Sequence, residues 1–322
     1  MITTVVGSYP KVAERTYGTG LISAVARWQR GELDDAQLEA VYRDLTRRVI
    51  AEQEADGLAL ITDGQLRWED LVTPVARGLA GVDINGLARW FNNNVYFRQP
   101  VIHRAPTRRG PLLVGAYRQA AAMASVPVKA VLPGPYTMAA VSEDRHYGRC
   151  RPCVLRLAEQ LNAEARALAE AGAPVVQFDE PAIGFGTTEI GLAVEGVNVA
   201  ASGVRATTVL VTYFGVSSRW LGRLSEARVD VLGIDAISDP QALPTLKRLR
   251  VTKGIALGCV DARNTRLETV DALHRLFEAL ERIGSPGPLY VSPNCGLEFL
   301  PHTQARAKVR RLVEAVRSFG GG

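Results

Sequence analysis

Eight short apolar runs rich in β-branched residues recur along the chain, at residues 3–6, 58–61, 128–132, 174–178, 208–211, 229–234, 254–257 and 288–291, with longer stretches of helical period between them. Strand and helix signals that alternate in this way predict repeated βα units. The runs are nearly continuous in apolar character, so each strand must be covered on both faces, which is the signature of a parallel sheet. Eight such units fit a closed ring better than an open sheet. The expected fold class is therefore α/β, a (β/α)8 TIM barrel formed as a single domain over residues 1–322.

Some of the intervening helices have readable ends. Asp34 is placed to cap a helix with Gln37 at the third position, and Leu38, Val41, Leu45 and Val49 then share one stripe. Pro152 suits a first helical position; Val154, Leu157, Leu161 and Leu168 share a face, and Gly172 is placed to end the helix. One segment breaks the rhythm. Residues 67–109 form a long excursion after the second strand, carrying Trp90, Phe91, Tyr96 and Phe97 around the run Asn92, Asn93, Asn94. It is too short for a core of its own and is expected to be a lid or hairpin over the barrel mouth. Its aromatic residues, with Trp68, are read first as packing and second as a face for a planar ring.

Composition narrows the function classes. No run of eighteen uncharged apolar residues is present, and the opening MITTVVGSYPK lacks the basic flank and apolar stretch of a secretory signal, so a cytoplasmic protein without membrane association is expected. Four cysteines, Cys150, Cys153, Cys259 and Cys295, are too few and too scattered to staple 322 residues. Cys150 and Cys153 have C-x-x-C spacing near His146, but without a second pair they read as ordinary surface residues rather than a metal site. The net charge of +5 comes from dispersed arginines with no aromatic-interleaved basic tract, so nucleic acid is not an expected partner.

Polar residues gather where the strands end. Gly7, Ser8, Tyr9 and Pro10 follow the first, Thr62, Asp63, Gly64 and Gln65 the second, and Pro133 to Thr137 the third. Asp179, Glu180 and Pro181 follow the fourth; Thr212, Tyr213, Phe214 and Gly215 the next; then come Asp235, then Cys259 and Asp261, and finally Ser292 to Gly296. Active sites of α/β barrels lie at this C-terminal edge of the strands. Each motif alone could be an ordinary turn; their joint occurrence at one edge is the signal. Two adjacent carboxylates, Asp179 and Glu180, at such an edge suit the binding of a substrate amine or proton transfer.

Taken in order, GSYP, TDGQ, GPYT, FDEP and SPNCGL resemble the cobalamin-independent methionine synthase family over nearly the whole chain, FDEP and SPNCGL being the more specific motifs. The resemblance implies a TIM barrel that transfers a methyl group from methyltetrahydrofolate, or another methyl carrier, to homocysteine. Asp179 corresponds to the family's amine-binding aspartate. Gly7 and Ser8 match its substrate-contacting turn, and Gln65 stands where the family has a glutamate. Asp63, Glu180, Thr212 and Asp235 complete the expected substrate-binding set, with Asp179 and Cys295 as the catalytic candidates. The family's thiol is activated by zinc held by a His-x-Cys pair, a glutamate and a last-strand cysteine. The corresponding positions here are Thr212, Phe214, Asp235 and Cys295, so only Cys295 is retained as a metal ligand. The TYFG segment resembles instead the metal-free barrel of the long family members. That leaves a second implied function, a subunit that binds folate or amino acid beside a separate zinc-bearing barrel protein.

Overall fold

The computed structural model describes residues 1–11, 18–93, 95–186 and 188–320. Asn94 of the asparagine run lies outside them. Among the described residues there are ten strands: β1 (Ile2–Thr3), β2 (Leu79–Arg89), β3 (Tyr96–Arg108), β4 (Ala130–Pro133), β5 (Glu143–Asp144), β6 (Val175–Asp179), β7 (Thr207–Val211), β8 (Val231–Asp235), β9 (Gly254–Val260) and β10 (Leu289–Pro293).

Seven of these form a parallel sheet in the order β1-β10-β9-β8-β7-β6-β4. The ring is closed by residues 58–61. Ala59 and Leu60 both donate backbone N–H bonds to the Thr3 carbonyl, Ile61 donates to Pro127, and Lys129 donates to Ile61. The expected second strand thus holds the eighth position of the ring. It reaches only one bridge, Ile61 with Val128, because two of its amides share one acceptor and no regular ladder is built toward β1.

The helices wrap this ring with their apolar stripes inward. In the helix Asp35–Ala55 the expected cap is present: the Asp34 side chain accepts from the Gln37 amide and the Gln37 side chain accepts in return from the Asp34 amide. Leu38, Leu45 and Val49 of its stripe are buried. The helix Cys150–Glu170 begins two residues before the expected start at Pro152, and all four stripe residues, Val154, Leu157, Leu161 and Leu168, are buried. Early helix positions lack an internal acceptor for their amides, so a proline inside the first turn costs no hydrogen bond. Gly172 follows the helix with φ +103°.

The long excursion is a hairpin. β2 and β3 pair antiparallel with two register shifts, and β5 adds a short parallel strand to β3. The hairpin is tied down by Glu164, buried on the helix Cys150–Glu170: its carboxylate accepts from Arg108 Nε at 2.7 Å and from the amides of Leu112 and Leu113. Basic residues elsewhere are used in the same way. Arg306 and Arg310 both pair with Asp56, and the buried Lys308 pairs with Glu268. Among the described residues, no helix is long and apolar enough to cross a membrane.

Candidate functional site

At the C-terminal mouth of the barrel a cleft of about 580 Å³, including its open entrance, is lined by both polar groups and aromatic rings. Ser8, Lys11, Gln65, Asp179, Tyr213 and Glu298 supply polar lining; Trp68, Trp90, Phe97 and Phe299 supply most of the apolar lining. The hairpin contributes Trp90 and Phe97, whose rings meet edge to face at 5.2 Å, so the excursion roofs part of the cavity.

Asp179 ends β6 and is 2% exposed. One carboxylate oxygen accepts from Gln177 Nε2 at 2.7 Å and the other from the Tyr213 hydroxyl at 3.1 Å. A carboxylate has about four acceptor positions, so two protein donors leave it able to take a ligand's donor as well. Burial pushes its carboxyl up, to about 7, against the opposing pull of Gln177, Lys129 and Tyr213.

Gln65 sits in the TDGQ turn with φ +51°, held there by its own amide donating to Asp63 Oδ1 at 2.9 Å. Its side-chain Nε2 is buried and has no hydrogen-bond partner. A buried polar atom without a partner is costly, and in a cavity wall it marks a place for a ligand acceptor. The Gln65 amide lies against Gly7, where an added Cβ would stand 3.0 Å from Oε1. Gly296 is tighter still: a Cβ there would fall 2.0 Å from Glu298 Oε2 and 2.1 Å from Ser8 Oγ. The absence of a side chain at Gly296 is what lets the Ser8 hydroxyl donate to the Glu298 carboxylate across the seam between the first and last strands. Lys11 reaches back to donate to the carbonyl of Trp68.

Other candidates are turned elsewhere. Both oxygens of the buried Glu180 accept backbone N–H bonds, from Tyr136 at 2.9 Å and Thr137 at 2.6 Å, so this carboxylate caps the helix Pro135–Val141 and does not line the cleft. Thr212 donates its hydroxyl to the Gly233 carbonyl of β8 at 3.2 Å. Asp235 accepts from the amides of Ile237 and Ser238, and Asn294 Nδ2 lies 3.2 Å from each of its oxygens. Asp63 is spent on its own turn. Cys295 is fully buried; burial first, then the nearby Glu298 and Asp235 charges, push its thiol well above the ordinary cysteine range.

The residues at the positions implied for zinc do not fit that ion. Phe214 offers no donor, and its ring is packed against Tyr213 at 4.6 Å, Phe299 at 5.7 Å and Phe91 at 6.0 Å, with the Arg263 guanidinium 5.5 Å over it. Cys259 points into the core toward the Ser292 carbonyl. Among the described residues no group of three His, Cys, Asp or Glu side chains is placed to hold a metal ion, and tetrahedral zinc needs three protein ligands even in an open site.

Glu298, Phe299, Lys11 and Gln177 were not named from the sequence, and Tyr213 was named only as part of the TYFG segment. Gln177 could have been found, since side chains alternate along a strand and a polar residue two before Asp179 points the same way. Glu298 and Lys11 lie on segments whose direction depends on tertiary packing.

Comparison with known proteins agrees with this architecture. The chain is 29% identical over 316 residues to the methionine synthase of Sulfurisphaera tokodaii, covering 98% of this chain and 91% of that one. It is 28% identical over 317 residues to the methionine synthase of Saccharolobus solfataricus, covering 98% and 93%. In structure it superimposes on a B12-independent methionine synthase from a Shewanella species, solved with selenomethionine, with a TM-score of 0.83 at 21% identity over 98% of this chain and 97% of that one. A putative vitamin-B12-independent methionine synthase from Listeria monocytogenes matches with a TM-score of 0.76 at 17% identity over the full length of both. Residues 1–318 match the family described as cobalamin-independent synthase, catalytic domain, and the chain belongs to that family.

Proposed function

We propose that the chain binds an α-amino acid at the barrel mouth and is a methyltransferase of the methionine-synthase type, moving a methyl group from methyltetrahydrofolate or another methyl carrier to homocysteine. The observation that carries this reading is the convergence of a buried carboxylate, Asp179, an unpartnered buried amide donor, Gln65 Nε2, and Lys11 on one aromatic-walled cleft. These are the complements of an ammonium and a carboxylate on one carbon. Asp179 receives the ammonium, while Gln65, Lys11 and the turn at Gly7 and Ser8 receive the carboxylate. Trp68 and Phe97 cover the aliphatic part and exclude water. The relatives named methionine synthases, at 28–29% identity over almost the whole chain, support the same reaction.

In the transfer, the homocysteine thiol loses its proton, a sulfur–carbon bond forms as the bond between the methyl carbon and its carrier breaks, and the carrier keeps that electron pair, a folate nitrogen then taking up a proton. A free thiol with a pKa of about 8.5 is mostly protonated at neutral pH. Asp179 and Glu298 oppose a thiolate beside them, so these side chains position the amino acid rather than ionise its sulfur. The plugged position at Phe214 favours a second reading, a barrel that holds amino acid or folate beside a separate zinc-bearing barrel.

One assay separates the two. Methionine formation from homocysteine is measured with methyltetrahydrofolate and with methylcobalamin, with and without added zinc, and again with a zinc-bearing synthase barrel present. Turnover by the chain alone supports the first reading, and stimulation only in the mixture supports the second. Absence of both turnover and methionine binding sinks both.

A further inference from the structure

Beneath the cleft a second polar residue is built into the barrel interior. Lys129, which immediately precedes β4, is 5% exposed and lies among apolar strands. Its Nζ donates to Gln177 Oε1 at 2.6 Å. The other end of that amide donates twice from Nε2, to the Val6 carbonyl at 2.9 Å and to Asp179 Oδ1 at 2.7 Å. The amide can face only one way, because a flip would set its NH2 group against the ammonium and its oxygen against two acceptors. A positive charge at the bottom of the barrel is thereby coupled, through one oriented dipole, to the carboxylate at the floor of the cleft.

A lone buried ammonium is expensive, and stability alone would be served as well by an apolar residue. Its placement has a use at the cleft. The groups facing Asp179 are otherwise mostly acidic or neutral: Glu180 beside it in the chain, Glu298 after β10 and the Tyr213 hydroxyl after β7, with Lys11, Glu69 and Asp70 also lining the cleft. Burial and the Glu298 charge favour the protonated acid, and a protonated acid cannot pair with an ammonium.

We propose that Lys129 is a positioning residue that, acting through Gln177, keeps Asp179 ionised and so sets the pH range over which the cleft accepts the ammonium of its ligand. The inference rests on the amino-acid reading of the cleft for its purpose, but not for its test. The directions agree with it: burial lowers the Lys129 ammonium to about 7 while Asp179 holds it up, and Lys129 in turn draws Asp179 down.

The test compares the wild type with Lys129→Met and Lys129→Arg, with Lys129→Gln as a polar neutral variant should the methionine form not fold. Two quantities are read across pH 5 to 9: the protonated-carboxyl infrared band of Asp179, identified by its loss in Asp179→Asn, and the Kd for methionine followed by tryptophan fluorescence. In the neutral variants, the Asp179 band persists at least one pH unit higher. Methionine binding at pH 7 weakens about tenfold and recovers at higher pH, while Lys129→Arg stays near the wild type. An unmoved band overturns the inference, as does a loss of affinity equal at every pH, which would mark a merely structural lysine. If the wild type binds no methionine, the amino-acid reading fails, and the infrared band still decides the role of Lys129.

Discussion

The two halves of the barrel mouth differ in how many of their expected polar residues remain free for a ligand. In the first half, Gln65 and Asp179 face the cleft with hydrogen-bonding capacity left over, one through an orphaned amide and the other through spare acceptor positions. In the second half, Thr212 and Asp235 are satisfied by the backbone and by Asn294, and Phe214 is packed as a ring against Tyr213, Phe299 and Phe91. A polar residue at a strand end is therefore a site residue only when the local backbone leaves it unspent. The second half contributes to the cleft through Tyr213, within its TYFG segment, and through Glu298, just past SPNCGL.

The sharpest way to break this contrast is to remove the plug. Phe214 is 4% exposed and touches three rings, so Phe214→Ala is expected to cost about 3–5 kcal/mol of folding stability, as large buried truncations do. Alanine keeps the Cβ, so the left-handed backbone at φ +69° is not relieved by this change. Urea unfolding measures it. A loss below about 1 kcal/mol would mean that the ring is not a structural plug and that the second half is open to a ligand after all.

The next largest effect belongs to the first half. Asp179→Asn keeps a hydrogen-bonding group of the same shape while removing the charge that faces the ligand. Methionine affinity at pH 8 is expected to fall about 30- to 100-fold, or about 2–3 kcal/mol, the usual worth of a hydrogen bond to a charged group. Calorimetry reads it directly. An unchanged affinity would show that the ammonium is held elsewhere, and the contrast between the halves would lose its functional meaning.

How much of this was legible depends on what fixed each residue. The ring was legible because its strands are apolar on both faces; two runs fell short, residues 3–6, which pair as a strand only at Ile2–Thr3, and residues 58–61, where two amides share the Thr3 carbonyl. The hairpin was legible as an interruption, although its register shifts were not. Ser8, Gln65 and Asp179 line the cleft because the chain leaves a strand at those points. Glu180, one residue beyond Asp179, could not be separated from it by sequence, since its direction is set by the exposed amides of the helix Pro135–Val141. Lys129 did carry a signal, a lysine inside an apolar run, but its meaning needed the Gln177 bridge.

The contrast between spent and unspent carboxylates can be sharpened at Glu180 itself, through pH. Burial raises its carboxyl to about 7, above the 4.5 of an ordinary glutamate, despite the two amides that favour the ionised form. A carboxyl whose folded pKa is raised contributes stability that is fully present below the unfolded value and is lost as pH rises toward the folded one. The wild type should therefore lose stability relative to Glu180→Gln between about pH 4.5 and pH 7 and run parallel to it above, because the glutamine does not titrate. The expected narrowing is about 1–2 kcal/mol once solvent relaxation is allowed for, the smallest of these effects. Urea midpoints at pH 5 and pH 8 suffice to measure it. A wild type that gains on the variant as pH rises would place the Glu180 pKa below the ordinary range. The capping amides would then outweigh burial, and Glu180 would be a fixed anion held by its helix beside Asp179.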